Sequence, residues 1–499
     1  MRDENSEQTR DRKKPVRAGR GGRSSRITHY EGRMGLFREY DLRGIVGQEL
    51  TEEIAEQVGR AYCTYVKDRG VKTISVGRDG RLSSPALHKA LIGGLLGGGL
   101  NVIDLGICPT PLLYFSLFTL PVDGGIMITG SHNAAEYNGF KVCVGQEAIH
   151  GEEIQAFRRV IETGQFVSGA GRLSNHPIIP DYLSYIKKSF AELRADRLHV
   201  VIDCGNGAAA LVAKQALELL GCRVTGLHCD LDGRFPNHHP DPTVLENLED
   251  LMHAVKEYKA DVGIGYDGDA DRIGAIDEQG DVLWGDRLMV IYSRDILAAK
   301  PGSTIISEVK ASQSLYDDIV KRGGRPVMWK TGHSLIKSKM KSERAVLAGE
   351  MSGHMFFADR YFGYDDAIYA SCRLVEILAK VKRPLSSLVA DLPKTAVTPE
   401  IRIDTPDAIK FDLVKQVQQR FADYSRTHQA LGPAGLILRD VLTIDGVRAV
   451  FDDGWGLIRA SNTQPALVLR FEATSLQHLD SIRAVVEGEL TAAKRVLGY

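Results

Sequence analysis

Long apolar runs are missing from this 499-residue chain. The longest, Ala90 to Ile103, is interrupted by five glycines and is shorter than the ~20 residues a membrane-spanning helix needs. No secretory apolar core follows the basic start. Net charge is nearly absent. The 63 Lys and Arg against 64 Asp and Glu leave −1, which excludes an electrostatic nucleic-acid binder acting through the whole molecule. Cysteine is sparse as well. Seven residues, an odd number with no C-x-x-C pair, read as reduced core thiols in a reducing, cytoplasmic compartment.

What is present is the composition of a globular enzyme-sized chain, 43% apolar and 25% charged. At about 100–200 residues per domain, the length predicts three or four domains. Charge is concentrated only at the start. Residues 1–33 carry ten Lys and Arg against five Asp and Glu, with almost no large apolar side chains. Such a segment cannot bury enough surface to offset its ordering entropy and is expected to be a disordered basic tail. It is the only part of the chain that offers a nucleic-acid or anionic-surface contact.

Beyond the tail, short β-branched runs alternate with amphipathic stretches. Thr73–Val76, Gly125–Thr129, His199–Ile202, Asp261–Ile264 and Thr304–Ile306 read as buried strands. Glu52–Lys67, Pro85–Leu96, Ala209–Leu220 and Leu245–Glu257 read as helices. This alternation predicts α/β units with mixed or mainly parallel sheets. Polar loops follow several strands, at Gly77-Arg78-Asp79-Gly80, Gly130-Ser131-His132-Asn133, Asp203-Cys204-Gly205-Asn206-Gly207 and Asp267-Gly268-Asp269. Ligands gather at the carboxyl ends of strands in such sheets. The Asp203 loop carries no evident chemistry and reads as a turn echoing the same unit.

Four motifs carry chemistry. In Thr129–Lys141 an apolar strand ends in a turn that presents Ser131, with His132, Asn133 and Lys141 as surrounding donors; a serine exchanging a phosphoryl group needs such a base, cation or metal nearby. In Tyr266–Arg272, Asp267, Asp269 and Asp271 form an oxygen-only set suited to Mg²⁺ or Ca²⁺. Counted from Asp267, the register has Arg272 at the sixth position, where an EF-hand needs glycine. In Leu347–His354, Glu350, Ser352 and His354 alternate, and on an extended segment they share one face suited to sugar hydroxyls. Arg459, Ser461, Asn462 and Thr463 make a phosphate clamp with no base or nucleophile of its own.

Together with Phe37–Gly44, Phe235–Pro242 and Trp329–Ser334, these motifs resemble the α-D-phosphohexomutase superfamily, most closely its bacterial phosphomannomutase/phosphoglucomutase branch. The resemblance runs from about Phe37 to the C-terminus and leaves residues 1–33 outside. It implies a monomer of three related mixed-sheet α/β domains and a smaller C-terminal α+β domain around a central cleft. With the Pro-bearing stretches near residues 176–181 and 393–400, the expected divisions are 34–178, 179–281, 282–393 and 394–499.

The resemblance further implies interconversion of hexose 1-phosphate and hexose 6-phosphate, for glucose and mannose, through phospho-Ser131 and a hexose 1,6-bisphosphate that reorients. Mg²⁺ is then expected on Asp267, Asp269 and Asp271 with Ser131. Arg43, Lys141 and His354 are implied around the transfer, without one being singled out as general base. Glu350 and Ser352 are implied as readers of the 3- and 4-hydroxyls. Arg459, Ser461, Asn462 and Thr463 are implied around the phosphate that is not being transferred, and Tyr40, Arg272, Lys310 and His333 as further substrate contacts. A mutase for another sugar phosphate such as glucosamine phosphate is the alternative; a non-catalytic sugar-phosphate binder would be expected to have lost part of this set. Two positions depart from the family pattern. Ala134 stands where proline often follows the serine loop, a change worth at most about 1 kcal/mol. Gln464 stands where a small hydroxyl residue often follows the clamp.

Overall fold

The computed structural model describes residues 36–427, 430–432 and 434–499. The basic tail anticipated over residues 1–33 lies outside them. Four sheets organise the described chain. The first holds, in spatial order, Leu42–Ile45, Tyr137–Val144, Gly124–Ile128, Thr73–Arg78, Asn101–Ile107 and Leu173–Asn175, with Glu147–Ala148 paired to Tyr137–Val144. The second runs Val282–Leu283, Ile273–Asp277, Val262–Tyr266, His199–Asp203, Arg223–Leu227. The third runs Arg325–Trp329, Thr304–Glu308, Leu347–Gly349, Met355–Phe357. The fourth, built from residues 396–473, pairs its strands antiparallel throughout.

The first three sheets repeat one unit. In each, an initial strand (Thr73–Arg78, His199–Asp203, Thr304–Glu308) has a parallel neighbour on either side. The later of those neighbours turns into an antiparallel strand. That final turn is the Ser131 loop in the first sheet, the Asp267 loop in the second and the Glu350 loop in the third. The chemistry-bearing motifs therefore occupy equivalent places in three copies of one topology.

Local sequence explains the surrounding helices. Thr51 caps Glu52–Val66, its Oγ1 accepting from Ile54 N at 3.3 Å, and Glu52 and Glu53 favour the positive helix start. This helix packs on Ser84–Gly97 through glycines. A Cβ on Gly94 would lie 2.1 Å from the Glu56 carbonyl oxygen, and one on Gly59 2.4 Å from that of Leu91. Two of the five glycines that break the longest apolar run, Gly94 and Gly98, thus permit close helix approach.

Two helix expectations are corrected. Ala209–Leu220 is a 3-10 turn, Ala208–Leu211, followed by a short helix, Ala213–Glu218, because Ala208 N donates to Gly268 O and Val212 leaves helical geometry. Leu245–Glu257 likewise starts as a 3-10 turn, Leu245–Leu248, before the helix Glu249–Tyr258.

One apolar core runs through the first three units, with the buried helix Thr110–Thr119 at its centre. The fourth unit has its own core, including Leu413, Phe421, Leu467, Phe471 and Ile482. It meets the third through polar contacts, Lys310 Nζ to Glu400 Oε2 at 3.0 Å, Ser312 Oγ to Glu472 Oε1 at 2.8 Å and Arg448 Nη1 to Val309 O at 2.8 Å, and through a small apolar cluster of Val309 with Trp455 and Leu457. A fourth unit with its own core, joined by a small mixed junction, is the arrangement that permits hinge motion. Among the described residues, no helix is long and apolar enough to cross a membrane.

Candidate active site

The three equivalent loops meet. Ser131 follows the buried strand Gly124–Ile128 and takes a left-handed conformation, φ 47°. Its Oγ donates to Asp267 Oδ2 at 2.9 Å and lies 3.2 Å from His132 Nδ1. Gly268 makes the approach possible, since a Cβ there would fall 2.5 Å from Ser131 O. The Asp267 and Glu350 loops are joined by an antiparallel bridge between Arg272 and His354 and by Ile273 N donating to Gly353 O at 3.0 Å.

Asp267, Asp269 and Asp271 are fully buried, and one oxygen of each lies within 4.8 Å of the others. Lys141 Nζ donates to Asp269 Oδ2 at 2.9 Å and also to Asp271 Oδ2. Thr110 and Thr129 hydroxyls donate to the same Asp269 oxygen. Oδ1 of Asp269 and Oδ1 of Asp271 are left without a hydrogen-bond partner. Buried carboxylate oxygens without donors are costly unless a cation completes them, so this donor set fits a hard divalent metal. Burial and the charges of Asp271 and Asp269 push Asp267 well above the usual carboxylate range. Burial works the same way on Asp269, but Lys141 and the Thr110 hydroxyl hold it below that range. Burial would lower Lys141, and its two aspartates raise it instead.

The other anticipated residues fall into two groups around this centre. Arg43 donates to Asn133 Oδ1 at 2.7 Å and to Asp41 at 2.5 Å, bracing the serine loop. Arg272 Nε donates to His354 Nε2 at 3.0 Å, and the ring of His333 stacks on His354 at 5.7 Å. Burial, with Arg272 and Arg43 nearby, holds His132 well below the usual histidine range; burial and Lys337 do the same to His333. Glu350 accepts from Gly332 N and lies 3.4 Å from the Ser352 hydroxyl. The second group lies at the fourth unit. Arg459 Nε is 2.9 Å from Asp445 Oδ2, the Ser461 hydroxyl accepts from Gln464 N at 3.2 Å, and Thr463 is exposed. Tyr40 links the two groups, donating to Thr331 O at 2.8 Å and meeting Asn462 Nδ2 at 2.5 Å. Lys310 is held by Glu400.

The expected extended segment under Glu350, Ser352 and His354 is corrected. Glu350 to Gly353 is a tight turn, closed by Gly353 N to Glu350 O at 3.0 Å and by Gly353 at φ +92°, between the strands Leu347–Gly349 and Met355–Phe357. The three side chains are brought near one another by the turn and not by strand alternation. Neither departure from the family pattern disrupts its loop. Ala134 O still accepts from Arg81, and Gln464 Oε1 accepts from Arg402 Nη1 at 2.7 Å.

Sequence reasoning missed Arg81 and Asp365. Arg81, 1% exposed, donates to the carbonyls of Ser131 (2.7 Å), Asn133 (2.5 Å), Ala134 (2.6 Å) and Tyr137 (3.0 Å). It pairs with Asp79, whose carboxylate also accepts from Gly130 N. Asp365 lies 3.0 Å from His354 Nδ1 and pairs with Lys337. Arg81 follows a strand-end loop that sequence did single out; nothing local marks Asp365.

Comparison with known proteins agrees with this architecture. The family described as phosphoglucomutase/phosphomannomutase matches in four pieces. Its alpha/beta/alpha domains I, II and III match residues 34–167, 180–280 and 284–396, and its C-terminal domain matches residues 400–489. A phosphomannomutase/phosphoglucomutase of Pseudomonas aeruginosa is 46% identical over 92% of this chain and 96% of its own. A phosphoglucomutase of Neisseria gonorrhoeae is 40% identical over 91% of this chain and 96% of its own. The crystal structure of a phosphoglucomutase/phosphomannomutase family protein from Burkholderia thailandensis superimposes with a TM-score of 0.84 at 39% identity, covering 92% of this chain and 98% of that one. Three related α/β domains and a C-terminal α+β domain are thus the shared architecture. The chain belongs to the phosphoglucomutase/phosphomannomutase family.

Proposed function

We propose that this protein interconverts the 1- and 6-phosphates of glucose and mannose, using phospho-Ser131 as the phosphoryl carrier. The observation that carries the reading is the meeting of Ser131 with the Asp267 carboxylate, 2.9 Å apart, in a buried space where Lys141 pairs with Asp269 and Asp271. Asp267, Asp269 and Asp271, with the serine, would hold Mg²⁺, which when bound supplies charge stabilisation to the phosphoryl oxygens.

The chain's own residues do the rest. Lys141 occupies Oδ2 of Asp269 and of Asp271, so it both offsets their charge and leaves their Oδ1 atoms directed elsewhere. Arg81 fixes the serine loop by four carbonyls, holding Oγ in one position. Arg43 and His354 are positioned to meet the transferring phosphoryl group and the sugar hydroxyl, with Arg272 and His333 beside them. Glu350 and Ser352 accept and donate to the sugar's 3- and 4-hydroxyls. Arg459, Ser461, Asn462 and Thr463 hold the other phosphate, with Tyr40 and Lys310 at the edge of that site. Transfer from the serine produces a hexose 1,6-bisphosphate, which turns end for end and returns its other phosphate to Ser131. The 3- and 4-hydroxyls exchange places in that turn, and glucose and mannose differ at C2, so these readers accept both sugars in both orientations. Opening of the junction to the fourth unit gives the intermediate room to turn. A cytoplasmic monomer suffices for this cycle.

A coupled assay with glucose 1-phosphate, mannose 1-phosphate and glucosamine 1-phosphate tests the proposal. Turnover of the first two at comparable kcat/KM is expected. Turnover of glucosamine phosphate alone would overturn the sugar assignment.

A further inference from the structure

The cysteines are dispersed in sequence, yet two of them come together in space. Cys204 directly follows the strand His199–Asp203, and Cys229 follows the neighbouring parallel strand Arg223–Leu227. Their sulfurs are 3.1 Å apart. A disulfide needs about 2.05 Å, so closure asks for a movement of about 1 Å. The backbones are already held together: Cys204 N donates to Leu227 O at 3.1 Å, and Asn206 N to His228 O at 2.9 Å. Adjacent strand ends are about 4.8 Å apart, within the reach of a disulfide. Access is asymmetric. Cys229 is the one cysteine of the seven that is not buried, while Cys204 is fully buried behind it.

The geometry points to Cys204 and Cys229 as a redox modification site, a half-buried attacking thiol and a buried resolving thiol that close into a reversible disulfide on exposure to hydrogen peroxide. The disulfide itself is independent of the mutase reading; its effect on turnover rests on that reading. The Cys229 sulfur attacks one peroxide oxygen. The S–O bond forms, the O–O bond breaks, and the departing hydroxide takes the thiol proton as water. The Cys204 sulfur then attacks Cys229; the S–S bond forms, the S–O bond breaks, and hydroxide leaves with the Cys204 proton as a second water. Two thiols lose two electrons and the peroxide gains them. Chemistry favours the same order of events. Burial pushes the thiols of Cys63, Cys108, Cys143, Cys222 and Cys372 up, which leaves the half-buried Cys229 as the most accessible nucleophile.

The disulfide would act on the reaction through one contact. The loop behind Cys204 supports the metal loop: Ala208 N donates to Gly268 O at 2.9 Å, and a Cβ on Gly207 would be 2.7 Å from the same oxygen. Shifting a positioned group by about 1 Å costs up to about 10²-fold in rate.

The test is treatment of the full-length enzyme with hydrogen peroxide, alkylation of remaining thiols and peptide mapping, with kcat measured on the same samples. A Cys204–Cys229 linked peptide is expected, with the other five cysteines alkylated. It should be accompanied by a fall in kcat of about tenfold, and both effects should reverse with dithiothreitol. Cys229→Ser should fold, form no link and keep its kcat through the treatment. Alkylation of both cysteines in peroxide-treated protein, or oxidation of a buried cysteine first, would overturn the site. A linked enzyme with unchanged kcat would overturn the coupling to the metal loop.

Discussion

Replacing Arg81 should disable the protein from a position that touches no substrate. Its guanidinium is 1% exposed and donates to four carbonyl oxygens of the serine loop as well as to Asp79. It also lies over the ring of Phe235, 5.0 Å from its centroid, and so ties the first unit to the second. Arg81→Ala removes one partner of a buried ion pair, at a cost of about 3–5 kcal/mol. The four carbonyls lose their donors and Asp79 keeps an uncompensated charge. Ser131 stands at φ 47°, a conformation that persists only while its surroundings enforce it. The expected result is a large loss of stability in urea unfolding and a fall in kcat of about 10²-fold, with KM nearly unchanged. Arg81→Lys restores charge but not the planar fork, and should recover stability more than kcat. An Arg81→Ala variant within about 1 kcal/mol of the parent, with full turnover, would refute the reasoning.

Other outcomes follow from the same geometry. Prolonged chelation should abolish turnover and Mg²⁺ should restore it; activity indifferent to chelator would remove the role of the aspartates. Lys141→Met leaves Asp269 and Asp271 without their buried cation and should lower both stability and kcat, which thermal melts and steady-state kinetics would read. Burial pushes Glu400 up, but the Lys310 ammonium 3.0 Å away holds it down at about 2. Because the folded value is depressed below the ordinary glutamate value of 4.5, its stabilisation is present above that pH and is lost as pH falls toward 2. Glu400→Gln should flatten that part of the acid-stability profile. Tyr40→Phe cuts the links to Thr331 and Asn462 across three units and should enlarge the radius of gyration in X-ray scattering; an unchanged profile would mean that other contacts hold the cleft closed.

How much of this was legible in the sequence depends on whether a signal is local. Ser131 and the three aspartates could be read because each sits in a polar turn directly after an apolar β-branched strand. The triplication of the fold was implied by the family resemblance, with the Asp203 loop as its one hint in the residues themselves; the pairing order of the strands shows it directly. Glu350, Ser352 and His354 were grouped for the wrong reason. Their alternation suggested an extended face, whereas Gly353 in a left-handed conformation makes a turn. Arg81 and Asp365 act through contacts 50 or more and 11 residues away, on the Ser131 loop and His354, which no periodicity encodes. The Cys204 and Cys229 sulfurs likewise meet only because their strands are neighbours.

The central claim is that Ser131 carries the phosphoryl group. Mapping of phosphopeptides after incubation with glucose 1,6-bisphosphate tests it most directly. The account predicts phosphate on the Ser131 peptide, discharged on addition of glucose 1-phosphate or mannose 1-phosphate, and none on a turnover-deficient Ser131→Ala variant. Full turnover by Ser131→Ala freed of bound bisphosphate, or a dischargeable phosphate on any other residue, would contradict it.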